Sequence, residues 1–80
     1  MINKSEQEKL VIGKKQTLRS LSKDQVQKVF ISRDADMHVT KPIVDVCKEK
    51  NVEIVYFDNM KDLGAECGIN VNAAAAAVLK

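Results

Sequence analysis

Two β-rich apolar runs, Val29-Phe30-Ile31 and Val52-Glu53-Ile54-Val55-Tyr56-Phe57, bracket a segment whose apolar residues Ile43, Val46 and Cys47 fall at helical spacing. That alternation constrains the fold more than any other feature. A strand must hide one or both faces and a helix one stripe, so alternating strands and short helices bury both as stacked layers. The expected class is therefore α/β. The rest of the chain follows the same rhythm. Ser5 can cap a short first helix, with Glu8 completing a capping box. Leu10-Val11-Ile12 reads as a brief strand halted by Gly13. Residues 15–22 place Leu18 and Leu21 on one helical face and Arg19 with Lys23 on another. Val26–Ser32 is the next strand.

Thr40 then caps a helix with Pro42 in its first turn, leaving Asp45, Lys48 and Glu49 to water. Asn59 caps a further helix through Met60, Leu63 and Cys67, which ends at Gly68. The tail, residues 71–80, carries two opposed signals. Its five consecutive alanines favour a helix by propensity. The alternation asks for a strand, and small side chains would let helices pack close on both of its faces. The tail is read as the fourth strand.

Size limits what such a chain can do. Eighty residues make one domain, residues 1–80, with a core too small to enclose a large cofactor. A composition 45% hydrophobic and 30% charged is globular, not disordered. The longest apolar run, residues 73–79, is far short of the ~20 that a membrane span needs. The opening MINKSEQEKL has no apolar core of a secretory signal, so the expected location is the cytoplasm.

Catalytic and metal chemistry find no constellation. No phosphate-binding glycine loop, nucleophile elbow or zincin motif occurs. Cys47 and Cys67 stand twenty positions apart, and His38 is the only histidine. Cys47 lies on an apolar helical stripe, so both thiols read as core groups and His38 as a residue of a polar turn. Asp34 and Asp36 lack the glycine and distal glutamate of a calcium loop and read as turn and helix-entry residues. No catalytic set, metal or cofactor is expected. Three aromatics, of which Phe30 and Phe57 fall in buried strands, also exclude an exposed stacking platform of the kind RNA-binding sheets use.

Charge is distributed unevenly. Residues 1–33 hold eight basic and three acidic side chains, whereas residues 34–80 hold five and eight. This split suits a basic face turned to a polyanion, and it suits solvated helix faces as well. Two segments sharpen the choice. In the first, Gly13 ends a strand and Lys14, Lys15 and Gln16 open a helix. Helix N-termini attract phosphate, Lys15 and Gln16 have donors that suit base edges, and Arg19 follows one turn later on the same face. Gly13, without a Cβ, lets a nucleic-acid backbone come close. The plainer alternative is an ordinary basic helix start. In the second segment, Ile69, Asn70 and Val71 follow Gly68. Their aliphatic side chains are either a loop that packs on an unstacked base or core residues leading into the last strand.

Taken in order, three segments resemble one family. These are Ile12-Gly13-Lys14-Lys15-Gln16-Thr17-Leu18-Arg19, the strand end Ser32-Arg33-Asp34-Ala35-Asp36, and the stretch LGAECGINVNAAAA from Leu63. Over roughly residues 5–80 the chain resembles the kink-turn-binding ribosomal-protein superfamily, typified by an archaeal large-subunit protein, and within it the small bacterial YbxF/YlxQ type. The resemblance implies a three-layer α/β/α sandwich around a four-stranded mixed sheet. It also implies a monomer that binds kink-turn RNA, a bulge flanked by sheared G·A pairs and bent sharply, on a ribosomal or riboswitch RNA. The archaeal recognition pattern is G-x-N-E-x-x-K. Gly13 matches its glycine, while Lys15, Gln16 and Arg19 stand for its Asn, Glu and Lys, a more basic set. Lys14 adds a further cation beside the bend. Ile69, Asn70 and Val71 match the loop that packs on the extruded nucleotide, and Lys61 lies near it as a phosphate contact. The competing reading keeps the fold and makes it a protein-interaction or regulatory module without RNA.

Overall fold

The computed structural model describes residues 2–80. Eight elements follow in order: α1 (Lys4–Gln7), β1 (Leu10–Ile12), α2 (Lys14–Ser22), β2 (Val26–Ser32), α3 (Met37–Lys50), β3 (Glu53–Phe57), α4 (Met60–Cys67) and β4 (Ala75–Leu79). The strands form one sheet in the order β1-β4-β2-β3. β4 is antiparallel to both β1 and β2, and β2 is parallel to β3, so the sheet is mixed. The parallel pair needs a crossover, and α3 supplies it.

Successive side chains of a strand point to opposite faces, and each face here has its own core. On one side Val29 and Ile31 of β2, with Ala75 and Ala77 of β4, meet Leu21 of α2 and Ile43 and Cys47 of α3. On the other side Phe30 of β2, with Ala76 and Val78 of β4, meets Phe57, Leu63 of α4 and Ile2. Phe30 and Phe57 cross edge to face with ring centroids 5.7 Å apart. The result is the expected three-layer α/β/α arrangement. The alanine run is indeed a strand, and Ala75, Ala76 and Ala77 are wholly buried. Helical propensity differs by only tenths of a kcal/mol per residue between ordinary side chains, so burial between two helical layers decides the outcome.

Two helix starts differ from expectation. The capping box of α1 uses Asn3 and Glu6 in place of Ser5 and Glu8. The Glu6 N–H donates to Asn3 Oδ1 at 2.8 Å, and the Asn3 N–H donates to Glu6 Oε1 at 3.3 Å. The earlier box wins because Glu6 also reaches Lys28 of β2 at 2.9 Å. In α3 the cap is Asp36, whose Oδ1 accepts from the His38 N–H at 2.8 Å, and not Thr40. Thr40 is instead a buried residue inside the helix, His38 belongs to the helix's first turn, and Pro42 sits beyond that turn. A proline there has no N–H for the carbonyl four residues back, which is that of His38.

Candidate nucleic-acid interface

One end of the sheet gathers most of the residues singled out above. β1, β2 and β3 finish there and β4 begins there. The Gly13 N–H donates to the Ala75 carbonyl at 2.9 Å, the Ser32 N–H to Ala74 at 3.0 Å, and the Arg33 N–H to Phe57 at 2.9 Å. Because α2, α3 and α4 each follow one of those strands, three helix N-termini open onto this edge with their partial positive charge.

The three ends are finished differently. Asp36 caps α3, and Asn59 Oδ1 caps α4 by accepting from the Asp62 N–H at 2.7 Å. Asp34 Oδ1 accepts from the Met60 N–H at 2.9 Å and satisfies α4 further. α2 has no side-chain cap. Its N-cap is Gly13 at φ 103°, a conformation that side chains disfavour, and the chain enters the helix through it. The first N–H groups of α2 are thus left to an outside acceptor, with Lys14, Lys15 and Gln16 exposed around them and Arg19 exposed one turn on. Lys14 is partly engaged, since its Nζ donates to the His38 carbonyl at 3.3 Å. That acceptor is the one Pro42 leaves without its helical donor.

The second segment lies at the same edge. α4 ends at Gly68 in the left-handed region, φ 79°, and the Ile69 N–H turns back to the Gly64 carbonyl at 3.1 Å. The chain then crosses its own helix so closely that a Cβ on Gly64 would overlap the Val71 carbonyl. The Ala73 N–H donates to the Met60 carbonyl at 3.0 Å, and buried Ser32 Oγ donates to the Ala73 carbonyl at 2.7 Å. In this loop Ile69 is half-buried against the Phe30 core, Asn70 is exposed and Val71 is 68% exposed. Val71 is therefore not a core residue. Lys61, Ile69, Asn70 and Val71 share a shallow cavity of about 280 Å³.

The remaining candidates behave as non-reactive groups. Burial pushes the Cys47 and Cys67 thiols up to about 11, with Glu66 adding to the effect at Cys67, so both are protonated at neutral pH. Cys47 is fully buried and Cys67 half-buried. Among the described residues no three His, Cys, Asp or Glu side chains cluster as metal ligands, and no helix is long and apolar enough to cross a membrane. Neither Arg33 nor Tyr56 is among the site residues expected from the sequence. The structure stacks the Arg33 guanidinium over the Tyr56 ring, 4.9 Å from its centroid. Their pairing follows from the parallel register, which no local pattern reveals.

Residues 2–80 match the model of the Ribosomal protein L7Ae/L30e/S12e/Gadd45 family. The chain belongs to that family. Members named for RNA binding are similar over most of their length. An RNA-binding protein of Caldanaerobacter subterraneus is 51% identical over 69 residues, 86% of this chain and 84% of that one. RNA-binding protein YbxF of Geobacillus stearothermophilus is 40% identical over 72 residues, 90% and 88% of the two chains. Among solved structures, the Giardia lamblia 15.5kD RNA binding protein superposes with a TM-score of 0.86 at 22% identity. That match covers 95% of this chain and 64% of the Giardia chain and shows a shared fold.

Proposed function

We propose that this L7Ae-family chain binds RNA and recognises the kink-turn, holding it in its bent state. The observation that carries the reading is the uncapped N-terminus of α2, set on the same edge as the exposed Ile69-Asn70-Val71 loop. The RNA-binding names of its relatives agree with it. A regular A-form major groove is too deep and narrow for a helix end to enter. A kink opens that groove beside sheared G·A pairs and brings phosphates together. Lys15 and Gln16 then meet guanine edges, Lys14 and Arg19 offset phosphate charge with Lys61 beside the loop, and Val71 supplies an apolar surface to an extruded base. By binding the bent form preferentially, the protein shifts the RNA toward it.

Gel-shift titration tests this with a consensus kink-turn hairpin and the same hairpin carrying Watson–Crick pairs at both G·A positions. The kink-turn is expected to bind far more tightly, and equal affinities overturn the reading. Gln16→Ala is expected to weaken only the kink-turn, by about 1–3 kcal/mol. Arg19→Ala is expected to weaken both RNAs alike and to reduce the salt slope by about one. Identical behaviour of the two variants would make the helix start a charge patch without base readout.

A further inference from the structure

A second surface adjoins the edge, on the α2–α3 side of the sheet. α3 and the outer strand β3 flank a groove of about 390 Å³, lined by Arg33, Met37, Lys41, Val44, Lys48 and Tyr56. Met37, Lys41, Val44 and Lys48 recur at helical spacing and form one stripe along about 16 Å of α3. Met37 is 73% exposed and Tyr56 42% exposed, unusual for side chains of their size. The groove has one carboxylate, Asp45, against three cations. Among the described residues, none of those cations joins an ion pair.

The other side of β3 is opposite in character. There Tyr56 and Phe57 border a cavity with Asp58 and Asp62, and no lysine or arginine lines it. A polyanion is thus admitted on the α3 side of the edge strand and repelled on the α4 side. The groove is also continuous with the proposed interface. Ser32 lines it, and the Ser32 N–H and hydroxyl hold the backbone that leads from the Val71 loop into β4.

We propose that this groove holds a single-stranded stretch of the RNA bound at the edge, with a base stacked on the Arg33–Tyr56 pair and phosphates on Lys41 and Lys48. The inference rests on the RNA-binding reading and extends its footprint. Guanidinium and aromatic planes are the surfaces on which proteins stack unpaired bases, and a short groove flanked by lysines suits a few nucleotides and not a duplex. An acidic peptide would satisfy the lysines and leave the stacked pair unused.

Tyr56 is the only tyrosine and the chain has no tryptophan, so the emission reports on this one side chain of the groove. Four RNAs suffice: a blunt kink-turn hairpin, its Watson–Crick control, and the kink-turn hairpin with a six-uridine tail on each terminus in turn. A tail on one terminus is expected to tighten binding about tenfold and to quench Tyr56 emission, while the blunt hairpin binds without quenching. K41Q/K48Q is expected to remove the gain from the tail, lower the salt slope of tailed RNA by about 1.4 and leave blunt-hairpin affinity within about twofold. The proposal is overturned if no tail changes affinity or emission, as it would be for a groove that serves a protein. It is equally overturned if K41Q/K48Q weakens blunt and tailed RNA alike. If the blunt hairpin binds no better than its Watson–Crick control while tails still quench Tyr56, the kink-turn reading fails and the groove stands.

Discussion

At Gly64 one missing methyl group sets the position of a whole loop. A glycine inside a helix is unfavourable by about 1 kcal/mol relative to alanine, so propensity alone predicts that Gly64→Ala stabilises the protein. The neighbouring Val71 carbonyl reverses that sign, because the new Cβ would overlap it and the backbone must move. Gly64→Ala is expected to lower stability by about 1–3 kcal/mol in urea denaturation and to weaken kink-turn binding by displacing residues 69–72. A variant as stable as the parent would show that the loop does not approach α4 so closely. Gly13 has the opposite logic, since nothing lies within 4 Å of its added Cβ and only its backbone angle demands glycine. In sequence, Gly13 stood out at a strand end before a basic helix start for its missing Cβ, and its backbone angle is a second reason that the fold adds. The requirement at Gly64 was not readable, because the partner of Gly64 is a loop residue brought near by tertiary packing.

The order of elements was legible because apolar runs and helical stripes alternate without interruption. Helix boundaries were less so, since good capping residues recur every few positions. Thr40 looked like a cap because proline prefers a first turn, yet Asp36 stands one turn earlier with its carboxylate already on the His38 N–H. Asp36→Ala is therefore expected to cost about 1 kcal/mol, with Asp36→Asn restoring most of it, as thermal unfolding would show. An Asp36→Ala protein as stable as the parent would return the cap to Thr40. The alanine tail is the instructive contrast. Its local preference pointed to a helix, and the need for a thin central strand between two helical layers outweighed it. On α3, Pro42 was read as a boundary marker, whereas its structural effect is to leave the His38 carbonyl open to Lys14.

Across the whole molecule, the basic excess of residues 1–33 was visible in sequence, but its use was not. Lys28 is paired with Glu6, whereas the exposed cations of α2, Lys14, Lys15 and Arg19, join no ion pair among the described residues. Acid sensitivity follows from the paired carboxylates. The Lys28 ammonium lowers the pKa of Glu6, Lys50 lowers that of Asp24, and the Ile2 N–H lowers that of Glu66. A carboxylate whose folded pKa is depressed stabilises the fold above its ordinary pKa, and that contribution disappears as pH falls through the folded value. Glu6→Gln is expected to be less stable than the parent at pH 7, with the difference shrinking as pH falls below the ordinary glutamate range and through the lowered folded value. Denaturation midpoints at several pH values would measure this, and a pH-independent difference would show that the pair contributes nothing electrostatic. The strand order has a consequence of another kind. β1 pairs only with β4, and β2, which can pair early with β3, keeps its other edge open until β4 is made, so the sheet stays incomplete until residues 75–79. The acceptors for the Ser32 hydroxyl and the Gly13 N–H, the Ala73 and Ala75 carbonyls, arrive with residues 73–75, just ahead of the rest of that strand. Until residues 73–79 emerge, a nascent chain therefore has neither a complete sheet nor a working edge. Folding and competence to capture RNA are completed in one step.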